Sequence, residues 1–102
     1  MLTDDLKKKI EEQISKDRIV VYMKGTPKAP QCGFSAAVVQ AIGKYEKPFQ
    51  TYDILLDPEL RQAIKEFTNW PTIPQVYVSG KFIGGCDIIM DLEKKGELGS
   101  IL

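Results

Sequence analysis

Apolar residues return every four positions at the start of the chain. Leu6, Ile10 and Ile14 fall on one side of a helix, with lysines and glutamates between them. Thr3 stands before this stripe as a cap, and Asp4 and Asp5 occupy the electropositive first turn. The Lys7-Lys8-Lys9 run reads as a solvated face. The period then changes. Ile19-Val20-Val21-Tyr22-Met23 is continuous, β-branched and aromatic, which predicts a strand buried on both faces. Gly25-Thr26-Pro27 and Ala29-Pro30 make a loop, longer than the ~2–6 residues usual between strand and helix. Its extra length is either slack or a binding element. A helix-compatible stretch follows from Ala36 to Tyr45. Phe34, Val38, Ala41, Ile42 and Tyr45 fit one face of it, with Gly43 near its end.

Pro48 to Leu55, with Phe49, Tyr52 and Ile54, predicts a second strand. Asp57-Pro58-Glu59 joins a capping residue to a first-turn proline. Leu60, Ile64 and Phe67 line the helix that follows, and Arg61 and Lys65 lie one turn apart beside them. Trp70-Pro71-Thr72-Ile73-Pro74 breaks that helix. Gln75 to Val78, a Ser79-Gly80 turn and Lys81-Phe82-Ile83 predict a hairpin. Gly84-Gly85 interrupts it. Cys86-Asp87 opens a last helix through Ile88, Ile89 and Leu92, Gly96 ends it, and Leu98 to Leu102 remain as a tail. The order α-β-α-β-α-β-β-α pairs the first two strands in parallel across a right-handed crossover. The fold class expected is α/β: a thioredoxin-like, four-stranded mixed sheet flanked by helices, in one domain over residues 1–102.

Composition narrows the chemistry. A hydrophobic share of 43% and a charged share of 27% are those of an ordinary globular domain. Fourteen basic and 14 acidic side chains cancel, so the basic excess of a nucleic-acid surface is missing. No apolar run approaches the ~20 residues of a membrane span. The N-terminus lacks the apolar core of a signal peptide and is acidic for a transit peptide. The expected location is the cytoplasm, or an organelle matrix if a precursor was trimmed. There are 0 histidines, which removes His-based metal sites, Ser-His-Asp triads and Cys-His proteases. Two cysteines far apart do not make a disulfide scaffold.

Cys32 sits where a strand gives way to a helix. First-turn N–H groups favour its thiolate, and Lys24 pushes the same way, which lowers the pKa below ~8.5. Ser35 stands where a Cys-x-x-Cys dithiol site would carry its second thiol. A hydroxyl cannot attack a mixed disulfide, so chemistry at Cys32 borrows a thiol from elsewhere. The competing reading is an inert structural cysteine. The junction and Lys24 weigh toward a functional thiol.

Four pieces stand in register: Tyr22-Met23-Lys24-Gly25-Thr26-Pro27, Cys32-Gly33-Phe34-Ser35, Trp70-Pro71-Thr72-Ile73-Pro74-Gln75 and Gly84-Gly85-Cys86-Asp87. In order and spacing the chain resembles the monothiol glutaredoxins of the Cys-Gly-Phe-Ser class, of the short single-domain type, over nearly its whole length. The resemblance implies a [2Fe-2S] cluster shared by two subunits, with glutathione completing its ligands. It also implies transfer to iron-sulfur acceptor proteins and pairing with BolA-type proteins. An all-thiolate cluster needs four sulfurs. Cys32 from each chain of a homodimer and two glutathiones supply them.

The resemblance also implies site roles. Cys32 is the nucleophile and cluster ligand. Lys24 and Arg61 take the glycine carboxylate of glutathione, with Lys65 the weaker candidate. Pro74 is expected cis, leaving the Ile73 backbone to pair with the tripeptide like an added strand. Gly84-Gly85 allows close approach, and Cys86 and Asp87 receive the γ-glutamyl end at a helix N-terminus. Asp87 reads equally as a helix cap. Cys86 is also readable as a disulfide partner for Cys32, if their Cα atoms lie within ~7 Å. Phe34 reads as core or as an exposed dimer contact beside Cys32, with exposure preferred. Trp70 reads as filler beside Pro74, or as the edge of a partner surface. The function expected is cluster storage and delivery, with at most weak oxidoreductase activity. The alternative is an enzyme reducing protein–glutathione mixed disulfides.

Overall fold

A computed structural model describes residues 2–102. Thr3 caps the first helix, α1 (Asp4–Lys16), its hydroxyl accepting the Leu6 N–H at 3.2 Å. The next element, β1 (Ile19–Met23), is buried at every position. Then follow α2 (Gly33–Gly43), β2 (Gln50–Asp53), α3 (Pro58–Thr68), β3 (Gln75–Val78), β4 (Lys81–Gly84), α4 (Cys86–Lys94) and α5 (Leu98–Ile101). The sheet order is β2-β1-β3-β4. β1 runs parallel to β2 and antiparallel to β3, and β3 runs antiparallel to β4. Ser79 and Gly80 turn the hairpin with φ of 52° and 78°, the mirror-image turn that matches strand twist.

The unbroken apolar run of β1 is explained by helices on both sides. Its odd positions, Ile19, Val21 and Met23, pack with Val38 and Ile42 of α2, Ile89 of α4 and Leu98 of α5. Its even positions, Val20 and Tyr22, pack with Ile10 and Ile14 of α1 and with Leu60 and Ile64 of α3. β3 divides the same way, Val76 and Val78 to one side and Tyr77 to the other. The alternation of side chains along a strand thus sends one sequence run into two cores.

Several boundaries differ from the sequence pattern. α2 begins at Gly33, not Ala36, because Cys32 is extended at φ −157° and serves as its N-cap. The second strand shrinks to Gln50–Asp53, the only stretch in register with Val20–Met23, and a turn closes after Asp53. Gly84 belongs to β4, paired with Val76, instead of interrupting it. The expected tail is a short helix, with Leu98 and Leu102 buried in the core. Of the two readings of Phe34 the preferred one holds: it is 63% exposed.

One end of the sheet gathers the motif residues. Tyr22 pairs with Gln75 and Val76 with Gly84, so the end of β1, the start of β3 and the end of β4 lie together. Met23-Lys24, Ile73-Pro74 and Gly84-Gly85 are therefore neighbours in space although far apart in sequence.

Candidate functional site

The loop over residues 24–31 is closed, not slack. Gly25 and Pro30 bridge, the Gln31 N–H donates to the Lys24 carbonyl at 2.9 Å, and Thr26 and Ala29 exchange N–H donations at 3.3 and 3.1 Å. Gly25 has φ +87°, and a Cβ there would sit 2.5 Å from the Ala29 oxygen. Only glycine fits that position. The loop delivers Cys32 to the N-terminus of α2.

Cys32 is half-buried, and its thiol pKa is lowered. The largest cause is the Ser35 backbone N–H. Slight burial opposes it, and the Phe34 N–H, the Lys24 charge and the Ser35 hydroxyl add to it. The sulfur makes no full capping hydrogen bond, so these first-turn groups act on it as aligned dipoles. Ser35 is more than a missing thiol. Its side chain is fully buried, and its hydroxyl accepts the Lys24 N–H at 3.1 Å.

Cys86 faces the same space with the opposite tendency. Burial pushes its thiol pKa up, and the Asp87 charge and Cys32 push it further. At neutral pH Cys32 is the sulfur disposed to ionise and Cys86 stays a thiol.

A cleft of about 500 Å³ joins these groups. Lys24, Cys32, Arg61, Ile73, Cys86 and Asp87, singled out from the sequence, line it, with Lys65 beside Arg61; Gly85 lines it too, and Gly84 does not. Among the described residues no carboxylate pairs with Lys24, Arg61 or Lys65. The cleft therefore holds uncompensated cations on one wall. The first turn of α4, which also lines the cleft, has Gly85 as its N-cap and no side-chain cap. Its N–H groups are open to an anion. This corrects one reading of Asp87, which is exposed inside the helix and does not cap it.

Ile73 buries its side chain against α1 and α3, and the Ile73–Pro74 bond is cis, as expected. No hydrogen bond among the described residues uses the Ile73 N–H or C=O. They remain available to an extended peptide. Gln75 holds this wall. It is fully buried, donates to the Trp70 and Thr72 carbonyls at 3.1 and 3.3 Å, and accepts from the Tyr77 hydroxyl at 3.1 Å. Trp70 lies tilted against Phe82 at 5.4 Å, and its indole N–H, buried without a partner, abuts Gly85. It fills space beside Pro74 and also lines the cleft. Phe34 stands exposed on the Cys32 side. Among the described residues no three His, Cys, Asp or Glu side chains gather as a metal site.

Sequence reasoning missed Gln75, the Ser35–Lys24 bond and the Asp53 contact described below. Gln75 left a signal, a lone amide at the head of an apolar strand run. The other two depend on pairings between distant elements and left none.

Comparison with known proteins agrees with this geometry. A family model described as glutaredoxin matches residues 19–83. Glutaredoxin 4 of Haemophilus ducreyi is 51% identical over 94 residues, covering 92% of this chain and 88% of its own. The mitochondrial monothiol glutaredoxin-5 of Saccharomyces cerevisiae is 47% identical, over 99% of this chain and 69% of its own. The chain belongs to the monothiol glutaredoxin family. This glutaredoxin also superposes on the solution structure of reduced apo glutaredoxin S14 from poplar, with a TM-score of 0.81. That pair is 44% identical, covering 93% of this chain and 87% of the other. The thioredoxin-like fold is thereby shared. Among the described residues of this glutaredoxin no helix is long and apolar enough to cross a membrane.

Proposed function

We propose that this glutaredoxin binds glutathione along the cleft and, as a pair of chains, carries a [2Fe-2S] cluster to acceptor proteins. The observation that carries the reading is one thiolate-disposed sulfur, Cys32, beside unpaired cations and a free peptide backbone edge. Glutathione offers what the walls lack. Its glycine carboxylate suits Lys24 and Arg61, with Lys65 behind, because a guanidinium grips a carboxylate in two places. Its cysteine residue pairs with the Ile73 backbone. Its γ-glutamyl carboxylate suits the α4 N-terminus at Cys86, and its ammonium suits Asp87.

The cluster is cargo, and the chain alone cannot hold it. Four sulfurs are needed, and one chain offers one thiol disposed to ionise. A homodimer with two glutathiones supplies all four. The exposed Phe34 beside Cys32 supplies apolar surface for that contact. BolA-type proteins and iron-sulfur acceptors are the expected partners. Free thiols and a glutathione ligand fit a reducing compartment, the cytoplasm or an organelle matrix.

The lowered pKa of Cys32 also favours a second reading. In it the Cys32 thiolate attacks the glutathionyl sulfur of a protein mixed disulfide and expels the protein thiolate. A second glutathione thiolate then attacks the Cys32–glutathione bond and releases glutathione disulfide. Anaerobic reconstitution with iron, sulfide and glutathione separates the two. The carrier gives visible sulfide-to-iron absorption and a dimer, both lost in Cys32→Ser or without glutathione. A colourless monomer with brisk deglutathionylation overturns the carrier reading and supports the enzyme.

A further inference from the structure

The backbone of Lys24 and Gly25 is held by three separate parts of the chain. The Lys24 N–H goes to the Ser35 hydroxyl of α2 at 3.1 Å. The Lys24 carbonyl takes the Gln31 N–H at 2.9 Å, at the far end of the loop. The Gly25 N–H goes to Oδ1 of Asp53, at the end of β2, at 2.9 Å. The same Asp53 oxygen accepts the Leu55 N–H at 3.0 Å. Asp53 itself is fixed by the parallel register that sets it against Met23, and by the Ile54 N–H donating to the Met23 carbonyl at 3.0 Å. It pairs with no cation among the described residues, so its charge is answered by backbone N–H groups alone.

We propose that Asp53 is a positioning residue for the binding site: its carboxylate locks the Lys24–Gly25 peptide, and so aims the Lys24 ammonium into the cleft and keeps the Cys32 loop closed. The proposal rests on the glutathione reading above for the identity of the ligand, and on geometry alone for the effect on Cys32. A long lysine side chain is flexible, and its reach is set by where its backbone is pinned. Of the three clamps, Asp53 alone comes from outside the loop and helix that carry Cys32. Without it the loop is tied only to itself and to α2, and the Lys24 backbone can rotate away from β2.

The test compares the wild type with Asp53→Ala, Asp53→Asn, Lys24→Ala and the double variant Asp53→Ala/Lys24→Ala. Calorimetry measures binding of glutathione and of glutathione amidated at its glycine carboxylate. Asp53→Ala is expected to weaken glutathione about tenfold, the scale of one charge-assisted hydrogen bond. It leaves the amidated peptide unchanged and adds nothing in the Lys24→Ala background. Asp53→Asn, whose amide oxygen still accepts the Gly25 N–H, stays near wild type. An equal loss for both peptides, or full additivity with Lys24→Ala, overturns the proposal.

A second readout does not depend on glutathione. The pH profile of Cys32 alkylation by iodoacetamide, with the adduct assigned by mass spectrometry, shifts to higher pH in Asp53→Ala and stays at or slightly below wild type in Asp53→Asn. Removing a negative charge by itself shifts a thiol the other way. An unchanged or lowered midpoint in Asp53→Ala therefore refutes the positioning role. If wild type fails to bind glutathione, the ligand assignment falls, and the alkylation profile alone decides for or against Asp53.

Discussion

Replacing Gln75 by methionine keeps most of the side-chain volume and removes every hydrogen bond the amide makes. The amide is fully buried and serves two carbonyls and the Tyr77 and Thr68 hydroxyls. The four partners lose unequally. Tyr77 is 1% exposed, and burial holds its phenol pKa well above the usual range, so the hydroxyl stays protonated and loses its Gln75 acceptor. A buried donor left without a partner costs ~1–3 kcal/mol. The Trp70 and Thr72 carbonyls border the open cleft and regain water, which limits their loss to about 0.5–1 kcal/mol each. Thr68 loses little, because its hydroxyl already donates to the Ile64 carbonyl at 2.7 Å. The thioether returns roughly 1 kcal/mol by burying apolar surface instead of an amide. The balance is a loss of about 2–3 kcal/mol. In a domain this small, that lowers the melting temperature by roughly 8–20 °C. Urea unfolding at pH 7, followed by circular dichroism and by Trp70 fluorescence, measures it. A loss under ~1 kcal/mol would refute the claim that the Gln75 amide organises this wall of the cleft. Glutathione binding should weaken as well, because the Trp70 and Thr72 carbonyls, in the segment leading to Ile73, are no longer held.

Four further outcomes follow from the same geometry. Gly25→Ala, at φ +87° with the Ala29 oxygen 2.5 Å from the new Cβ, should cost about 2 kcal/mol or more by thermal melting, and a neutral result would mean that the loop is slack after all. Asp57→Ala should cost about 1 kcal/mol, since Asp57 caps α3 by accepting the Leu60 N–H at 3.1 Å, and its exposed pair with Lys9 adds little. The Leu60 N–H, then Lys9, lowers the Asp57 pKa from 3.8. That stabilisation is present above the ordinary value and fades as pH falls through the lowered folded one, so the variant and wild type converge in acid. Iodoacetamide at neutral pH should label Cys32 well before Cys86, as peptide mapping will show, because first-turn dipoles lower one thiol and burial raises the other. Ser35→Ala should move the Cys32 alkylation midpoint upward.

The regular elements were legible because each imposes a period on the sequence. The stripe of Leu6, Ile10 and Ile14 and the unbroken run of Ile19 to Met23 need no knowledge of partners. The Cys32, Ile73–Pro74 and Cys86–Asp87 motifs were legible through resemblance. Legibility failed where an element depends on its neighbours. Leu98 to Leu102 looked like a tail because a single helical turn carries no measurable period, yet Leu98 and Leu102 are buried against β1, α2 and α4. Phe34 fits the helical period of α2 as well, so the period alone left core and exposure open; it is exposed, as preferred, and lines the cleft.

Local sequence by itself determined the strand–loop–helix unit that carries Cys32, the missing second thiol and the absence of any imidazole. Tertiary structure decided which cations and backbone edges surround that sulfur. Lys24, Ile73 and Cys86 meet because β1, β3 and β4 bring their ends to one side of the sheet, and α3 adds Arg61. The reason is physical. A helix or strand is specified by interactions a few residues apart, whereas a binding site is specified by distances between elements, and the packing of two cores on one sheet sets those distances.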